Sequence, residues 1–454
     1  MIILTKETEL PPLTAFHNKL RDENITEEEY EHALRVWKVF GCKTMRDYHN
    51  IYLLTDVMIL TDVFETFRCM ARETYKLEPL HYYTLPGFSW DAALKYTGVQ
   101  IELVKDLDMH IMIKKGMRGG ISSINHRYAK ANHPAVPDYD PNSPHVYLMY
   151  LDANGLYAWA MEQMLPLNGF KWVDIDKFDL SMLGNGKGYI LEIDCEFPEI
   201  HHDRLNDYPL APEKICVTSD MISPLQQSMM SKRHGHTEKL IPNLNKKSKY
   251  VIHHKSLQQY IHLGMKVTKI HRVVEFNEEA WLKPYIELNT NMRKEATMRG
   301  DKAGVATFKL MSNAIFGKTC ENLEKRVNIE LINSNAKILK KRIAKPNFKR
   351  TKIFRTDLVG VDMSKTKVVL NRPMQVGFAI LEISKTLMYD FHYNKWLPKF
   401  PEAKLLFTDT DSLCYKVAQD PVKVMATFSD DFDLSEYPKN QELCEPKNMK
   451  VLEK

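Results

Sequence analysis

Two short apolar runs, Leu405-Leu406-Phe407 and Leu413-Cys414-Tyr415, enclose the tetrapeptide Asp409-Thr410-Asp411-Ser412. Strand-forming residues that meet at a polar, acidic tip read as a β-hairpin, and its turn drives two carboxylates toward one spot. Carboxylates held together repel and raise each other's pKa unless a cation compensates. A divalent metal answers that need, and Mg²⁺ accepts one or two carboxylates together with phosphate oxygens. The plainer alternative is a polar turn and nothing more, because Asp favours turns for backbone reasons.

The rest of the chain must supply what this hairpin packs against. Thr26-Glu27-Glu28-Glu29 is a capping box that opens a helix, which Gly41 closes. A longer helical pattern covers residues 47–75, and Gly116 with Gly119-Gly120 makes a loop. Residues 145–151 are strand-like and end on Asp152, with a short helix over 155–163. Strands are expected at 188–197 and 266–276, an irregular stretch at 201–249, and helices over 278–299, 302–322 and 374–392. Strands and helices alternate without βαβ periodicity, which predicts an α+β fold.

With 454 residues there is room for about three domains. No apolar run reaches the length of a membrane span and no basic leader precedes one, so no membrane partner is expected. Seven cysteines without a CxxC pair encode neither a disulfide framework nor a zinc site, which implies a reducing, intracellular setting. The His201-His202 and His253-His254 pairs have no spaced Cys or acidic partner and read as surface residues. The net charge of +5 hides one asymmetry: residues 326–372 hold thirteen Lys or Arg against three Asp or Glu. That run includes Lys340, Lys341, Arg342, Lys349 and Arg350. It can neutralise phosphates, or it is a solvated loop.

Two further elements bear on the hairpin. Asp152 ends a strand and precedes a helix N-terminus, where backbone N–H groups and the dipole favour phosphate; the alternative is an N-cap Asp. On the helix around Lys309-Leu310-Met311-Ser312-Asn313-Ala314-Ile315-Phe316-Gly317, Lys309, Asn313 and Phe316 share one face. Lys309 there can reach a triphosphate, Arg293 on the preceding helix adds a second cation, and Phe316 offers a flat surface to a base. Two metals about 3.5–4 Å apart on carboxylates, with cations on a triphosphate, are the minimum apparatus for in-line phosphoryl transfer.

In this order and spacing, Asp152–Met161 (DANGLYAWAM), Lys309–Gly317 (KLMSNAIFG) and Phe407–Ser412 (FTDTDS) resemble motifs A, B and C of family B DNA polymerases. The flavour is that of protein-primed enzymes of Polinton/Maverick transposons and related viruses. Tyr208–Ile215, Trp281–Ala296 and Ile380–Tyr393 resemble the same group. The resemblance implies a right-hand polymerase with an antiparallel-sheet palm and helical fingers. It would use two Mg²⁺ ions, with Mn²⁺ as an alternative, and act on DNA template, primer and deoxynucleoside triphosphates, with a terminal priming protein as a further partner. Its setting would be the nucleus or a viral replication site.

Carried over by position, Asp152, Asp409 and Asp411 are the catalytic metal ligands, joined by the Ala153 carbonyl. Tyr157 packs under the deoxyribose and excludes a ribose 2′-OH. Arg293, Lys309, Asn313 and Phe316 bind nucleotide. Arg118, Gly119 and Gly120 belong to a YxGG-like linker, with Met117 in the Tyr position, and contact DNA with the basic run. Gly155, Ala158, Ala314 and Phe316 depart from the common Ser, Pro, Ser and Tyr without removing a metal ligand.

The implied domains are an exonuclease remnant at 1–115, a linker at 116–144 and a first palm part at 145–280. Fingers follow at 281–325, a second palm part at 326–419 and the start of a thumb at 420–454, where Lys447, Lys450 and Lys454 are expected to face primer DNA. Residues 201–249 and 326–372 resemble the two insertions of protein-primed enzymes. Tyr52 and Asp56 resemble the last exonuclease motif. No DxE strand lies in the 51 residues before Tyr52, so proofreading is expected to be absent from this chain. The competing reading is a truncated, catalytically inactive remnant that holds DNA without extending it. A reverse transcriptase would carry adjacent Asp residues at the hairpin, and Thr410 intervenes.

Overall fold

The computed structural model describes residues 5–229, 237–333, 335–441 and 443–454. Two compact units divide the chain, Met1–Tyr83 and Thr84–Lys454. In the first, α1 (Glu27–Val39) and α2 (Met45–Tyr75) both begin with capping boxes. The one expected at Thr26 and Glu29 forms. A second forms at Thr44 and Asp47, where each residue's side chain meets the other's backbone N–H. Tyr52 and Asp56 lie one helical turn apart on α2, both exposed.

The division falls between Tyr83 and Thr84. Helices α3 (Leu85–Thr97) and α4 (Leu107–Gly116), which lie in the expected 1–115 segment, bury Phe88, Trp90, Met112 and Ile113 within the second unit. There β1 (Ser122–Ile124), β2 (Tyr147–Asp152), the short α5 (Leu156–Glu162), β3 (Leu165–Val173) and β4 (Gly188–Glu196) follow in order. The stretch expected to be irregular contains α6 (His202–Leu205), β5 (Glu213–Cys216), α7 (Pro224–Met229) and β6 (Glu238–Ile241); its residues 230–236 lie outside the described ones. Next come β7 (Lys247–His253), α8 (His254–His262) and β8 (Lys266–Glu279). Because β8 runs on through Glu279, the helix expected from 278 starts later, as α9 (Lys283–Met298). It is joined to α10 (Lys302–Thr319) through Gly300 in the left-handed region, with Asp301 as N-cap.

The basic run is a folded unit, not a loop: β9 (Asn328–Asn333), α11 (Ala336–Ile343), β10 (Phe348–Arg355) and β11 (Leu358–Met363) enclose Ile332, Val361 and Met363. The chain then forms α12 (Met374–Asp390), β12 (Lys404–Asp409) and β13 (Ser412–Val417).

All strand pairs in these sheets are antiparallel, and they assemble in the orders β1-β12-β13-β2, β3-β8-β4-β7, β10-β11-β9 and β5-β6. The fold is α+β, as the missing βαβ periodicity predicts. Helix α12 is buried along nearly its whole length, and a π-helical turn carries the chain on through Trp396. The Trp396 ring is fully buried between Tyr415 of β13, 4.4 Å away, and Phe428, 5.5 Å away. His392 Nδ1 and the Tyr415 hydroxyl lie 2.8 Å apart beside them. This aromatic stack fixes β13 against the helical layer. Trp396→Ala is expected to cost about 3–5 kcal/mol through the cavity it leaves, read as a lower denaturant midpoint; an unchanged midpoint would show that the stack does not anchor the sheet.

Candidate active site

The site is built by strand register. Antiparallel pairing of β13 with β2 sets Ser412 opposite Asp152, and pairing with β12 sets Asp409 opposite Ser412. Asp152 is thereby a strand residue and not a helix cap; the N-cap of α5 is Gly155, at φ 63°. This left-handed position favours glycine over the Ser of the common motif. The expectation that amides after Asp152 cradle phosphate is not met. Ala153 N–H donates to the Asp411 carbonyl at 2.8 Å and Asn154 N–H to the Lys454 carbonyl at 2.9 Å.

The hairpin turn is strained. Asp409 and Ser412 form the closing pair, and Thr410 stands at φ 60°, a region that β-branched residues rarely enter. Support comes from outside the hairpin. Thr410 N–H donates to the Ile121 carbonyl at 2.8 Å, and the Ser122 hydroxyl donates to the Asp409 carboxylate. Gly120 is required here, since a Cβ would come within 2.3 Å of the Thr410 hydroxyl. Gly119, by contrast, has nothing within 4 Å of where a Cβ would lie.

Arg118 is buried, which corrects its assignment as a DNA contact. Its guanidinium donates to the Val251 carbonyl at 2.8 Å and lies 3.7 Å above the Tyr250 ring. The Arg118 carbonyl accepts from Lys385 Nζ at 3.1 Å, and the same ammonium, buried in α12, also reaches Leu381 O at 2.8 Å. Burial lowers the Lys385 pKa. Arg118 and Lys385 thus anchor the segment that backs the hairpin. The sequence signal for Lys385 is a lone cation inside an apolar helical run, whereas Ser122 carries no comparable signal.

Electrostatics tie the three motifs together. The Asp411 carboxyl is held above its ordinary value by burial first, then by the charges of Asp152 and Asp409, with Lys309 pulling it down. Tyr157 from α5 stacks on Phe316 from α10, ring centroids 4.5 Å apart and planes within 14°. Burial and Asp411 raise the Tyr157 pKa. Lys309 and Asn313 are exposed on α10, while Arg293 of α9 is half-buried with an Nε that meets no hydrogen-bond partner. A buried, unsatisfied guanidinium N–H fits an anionic ligand. The oxygen-only donor set of Asp152, Asp409, Asp411 and the Ala153 carbonyl fits Mg²⁺ or Mn²⁺.

Among the described residues, one group of three metal-type ligands lies within 4.8 Å of one another, and it is elsewhere: His253, His254 and Glu278. The hairpin carboxylates do not all meet that spacing. The histidines are buried, which corrects their reading as surface residues. Each Nδ1 accepts a backbone N–H, from Lys255 for His253 and from Tyr189 for His254. That places the proton on Nε2 and leaves no lone pair there for a metal. Burial pushes the His254 pKa down to about 4 and that of His253 well below the ordinary value.

Of the basic residues, Lys340, Lys341 and Lys349 are exposed and form no ion pair among the described residues. Arg342 is paired with Glu330 at 2.6 Å and Arg350 with Asp362 at 3.2 Å. Lys447, Lys450 and Lys454 are paired with Asp430, Glu436 and Asp431, and Lys447 and Asp430 are both exposed.

A carboxyl whose folded pKa is raised contributes stability only below its unfolded value, and that contribution is lost as pH rises through the folded value. Ionised Asp411 therefore destabilises the metal-free protein at neutral pH. Asp411→Asn is expected to melt at a higher temperature than the parent at pH 7 in chelator, the difference shrinking as pH falls toward the ordinary carboxylate value of about 4 and vanishing below it. A lower melting temperature at neutral pH would contradict the crowding of charge at the hairpin.

A family model described as "DNA polymerase type B, organellar and viral" matches residues 15–395. No curated protein matches the chain in sequence. Among solved structures, Phi29 DNA polymerase complexed with primer-template DNA and incoming nucleotide substrates is similar at 14% identity and TM-score 0.47. That match covers 89% of this chain and 56% of that one. The Phi29 post-translocation binary complex with primer-template DNA is similar at 13% identity and TM-score 0.46, covering 78% and 50%. The chain thus spans about half the length of the solved polymerases it matches. With its three acidic residues gathered at one sheet end and the family model spanning most of its length, the chain belongs to the organellar and viral type B DNA polymerases.

Proposed function

We propose that this chain carries the nucleotidyl-transfer centre of a DNA-directed DNA polymerase that adds deoxynucleotides to a DNA primer or a protein hydroxyl. The observation that carries the reading is the β2–β13–β12 register, which gathers Asp152, Asp409 and Asp411 beside Lys309. Two Mg²⁺ ions, held by these carboxylates and the Ala153 carbonyl, would supply activation of the attacking hydroxyl and neutralisation of the phosphates. Arg293 and Lys309 bind the triphosphate and stabilise the departing pyrophosphate charge. Tyr157, braced face-on by Phe316, closes the space beneath the sugar, and Asn313 lines the base side.

Exposed Lys340, Lys341 and Lys349 hold the DNA backbone by phosphate contact, so binding weakens with salt. Protein priming, replication of a transposon or viral genome, and a nuclear or viral replication setting belong to the same reading. So does the lack of proofreading by this chain, with Tyr52 and Asp56 in an exonuclease remnant at 1–115.

Primer extension tests it. Asp411→Asn is expected to abolish incorporation while leaving DNA binding within about twofold, since a carboxylate that would hold the metal ions is lost. Equal incorporation by the variant would overturn the site. A parent chain that binds DNA without extending it would favour the inactive-remnant reading. Tyr157→Val is expected to admit ribonucleotides at least about tenfold better relative to deoxynucleotides, an effect of about 1.4 kcal/mol; unaltered sugar selectivity would remove Tyr157 from that role.

A further inference from the structure

The basic subdomain is attached to the second unit by two strands of chain, one entering at Arg326 and one leaving at Arg372. Both arginines end on one carboxylate. Glu321, two residues beyond α10, accepts from Arg326 Nε at 2.6 Å and Nη2 at 2.7 Å in a bidentate pair. It accepts from Arg372 Nε at 3.5 Å and lies 2.9 Å from Lys318 Nζ. Hydrogen bonding to Arg326 first, and then Lys318, pulls its pKa down to about 2. Glu324, beside the entry, holds Lys114 of α4 at 2.7 Å. The exit leads straight into α12, whose Gly377 meets the last turn of α10 so closely that a Cβ would come within 2.7 Å of the Thr319 hydroxyl.

We propose that Glu321 is a clasp that gathers both ends of the basic subdomain onto the C-terminal end of α10, and so fixes the DNA-holding surface relative to the nucleotide-binding face of the same helix. Resting on the polymerase reading, it makes Glu321 a positioning residue that touches neither nucleotide nor metal. Bidentate charge-assisted pairs hold geometry as well as energy. Here one carboxylate serves three cations, so losing its charge frees both ends together and leaves those cations repelling one another. The unclasped subdomain would then be ordered only on meeting DNA, and the cost of ordering it would be taken from affinity.

The test uses the full chain with Glu321→Gln and, as conservative variant, Glu321→Asp. Amide hydrogen exchange without DNA should rise roughly tenfold at residues 326–333 and 364–372 in Glu321→Gln and far less in Glu321→Asp. The parent's exchange there should rise with salt, because the pairs are part-exposed, while that of Glu321→Gln should not. The KM for primer-template should rise about three- to tenfold with kcat for a single incorporation within about twofold. Unchanged exchange and unchanged KM in Glu321→Gln overturn the clasp, as does a fall in kcat alone. Should Glu321→Gln fail to fold, Arg372→Gln, which releases only the exit, must raise exchange at 364–372, and its failure to do so overturns the clasp equally. A parent chain that extends no primer sinks the polymerase reading, while the exchange data still decide the clasp.

Discussion

The register between β2 and β13 is the constraint on which the site depends. In a sheet the side chains alternate faces, so a slip of one residue would turn Asp152 to the opposite side from the hairpin acids. Nothing local to Asp152 prevents such a slip. It is prevented by burial: Met149 of β2 and Leu413, Tyr415 and Val417 of β13 are core residues, and Tyr415 is trapped under Trp396. The aromatic stack, remote from any chemistry, therefore specifies which way the carboxylates point.

The same logic explains why ionised groups are buried around residues 116–121. A strained turn with Thr410 in the left-handed region needs a rigid support, and the support is a backbone segment, Gly116 to Ile121, with no regular partner along most of its length. Lys385 and Arg118 satisfy carbonyls that would otherwise be stranded in the interior, at the desolvation cost that lowers the Lys385 pKa. Apolar side chains in their place would leave those carbonyls unpaired. The cations are retained because they order backbone, which is a different task from adding net stability.

Elements with a strong local period were legible in the sequence: the capped helix after Thr26, the strands at β4 and β8, the buried α12, and the hairpin with its acidic tip. Motif spacing also led to Tyr157 and Phe316, which stack although they lie on different helices. What failed depends on tertiary partners. Arg118 is assigned to DNA by its place in the YxGG-like linker and the His253-His254 pair to the surface for want of a spaced ligand; only strand pairing across β4, β7 and β8 encloses them. The partners of Lys447, Lys450 and Lys454, namely Asp430, Glu436 and Asp431, lie too far along the chain for any helical spacing to flag. The basic run hid a small core because its apolar residues, Ile332, Val361 and Met363, are sparse and widely spaced.

Crowded acids and a left-handed threonine at the hairpin, and an unsatisfied arginine N–H on α9, all work against folding. Each would be removed by an ordinary substitution: Asn for Asp411, Gly for Thr410, Gln for Arg293. Uncompensated groups of this kind are what a surface preorganised for cations and a polyanion carries. On the polymerase reading, divalent cations would relieve the carboxylates and a triphosphate would relieve the guanidinium. The strain at Thr410 is different in kind. No ligand relieves it, and it persists because it is the turn geometry that keeps Asp409 and Asp411 at the end of the sheet where Asp152 emerges.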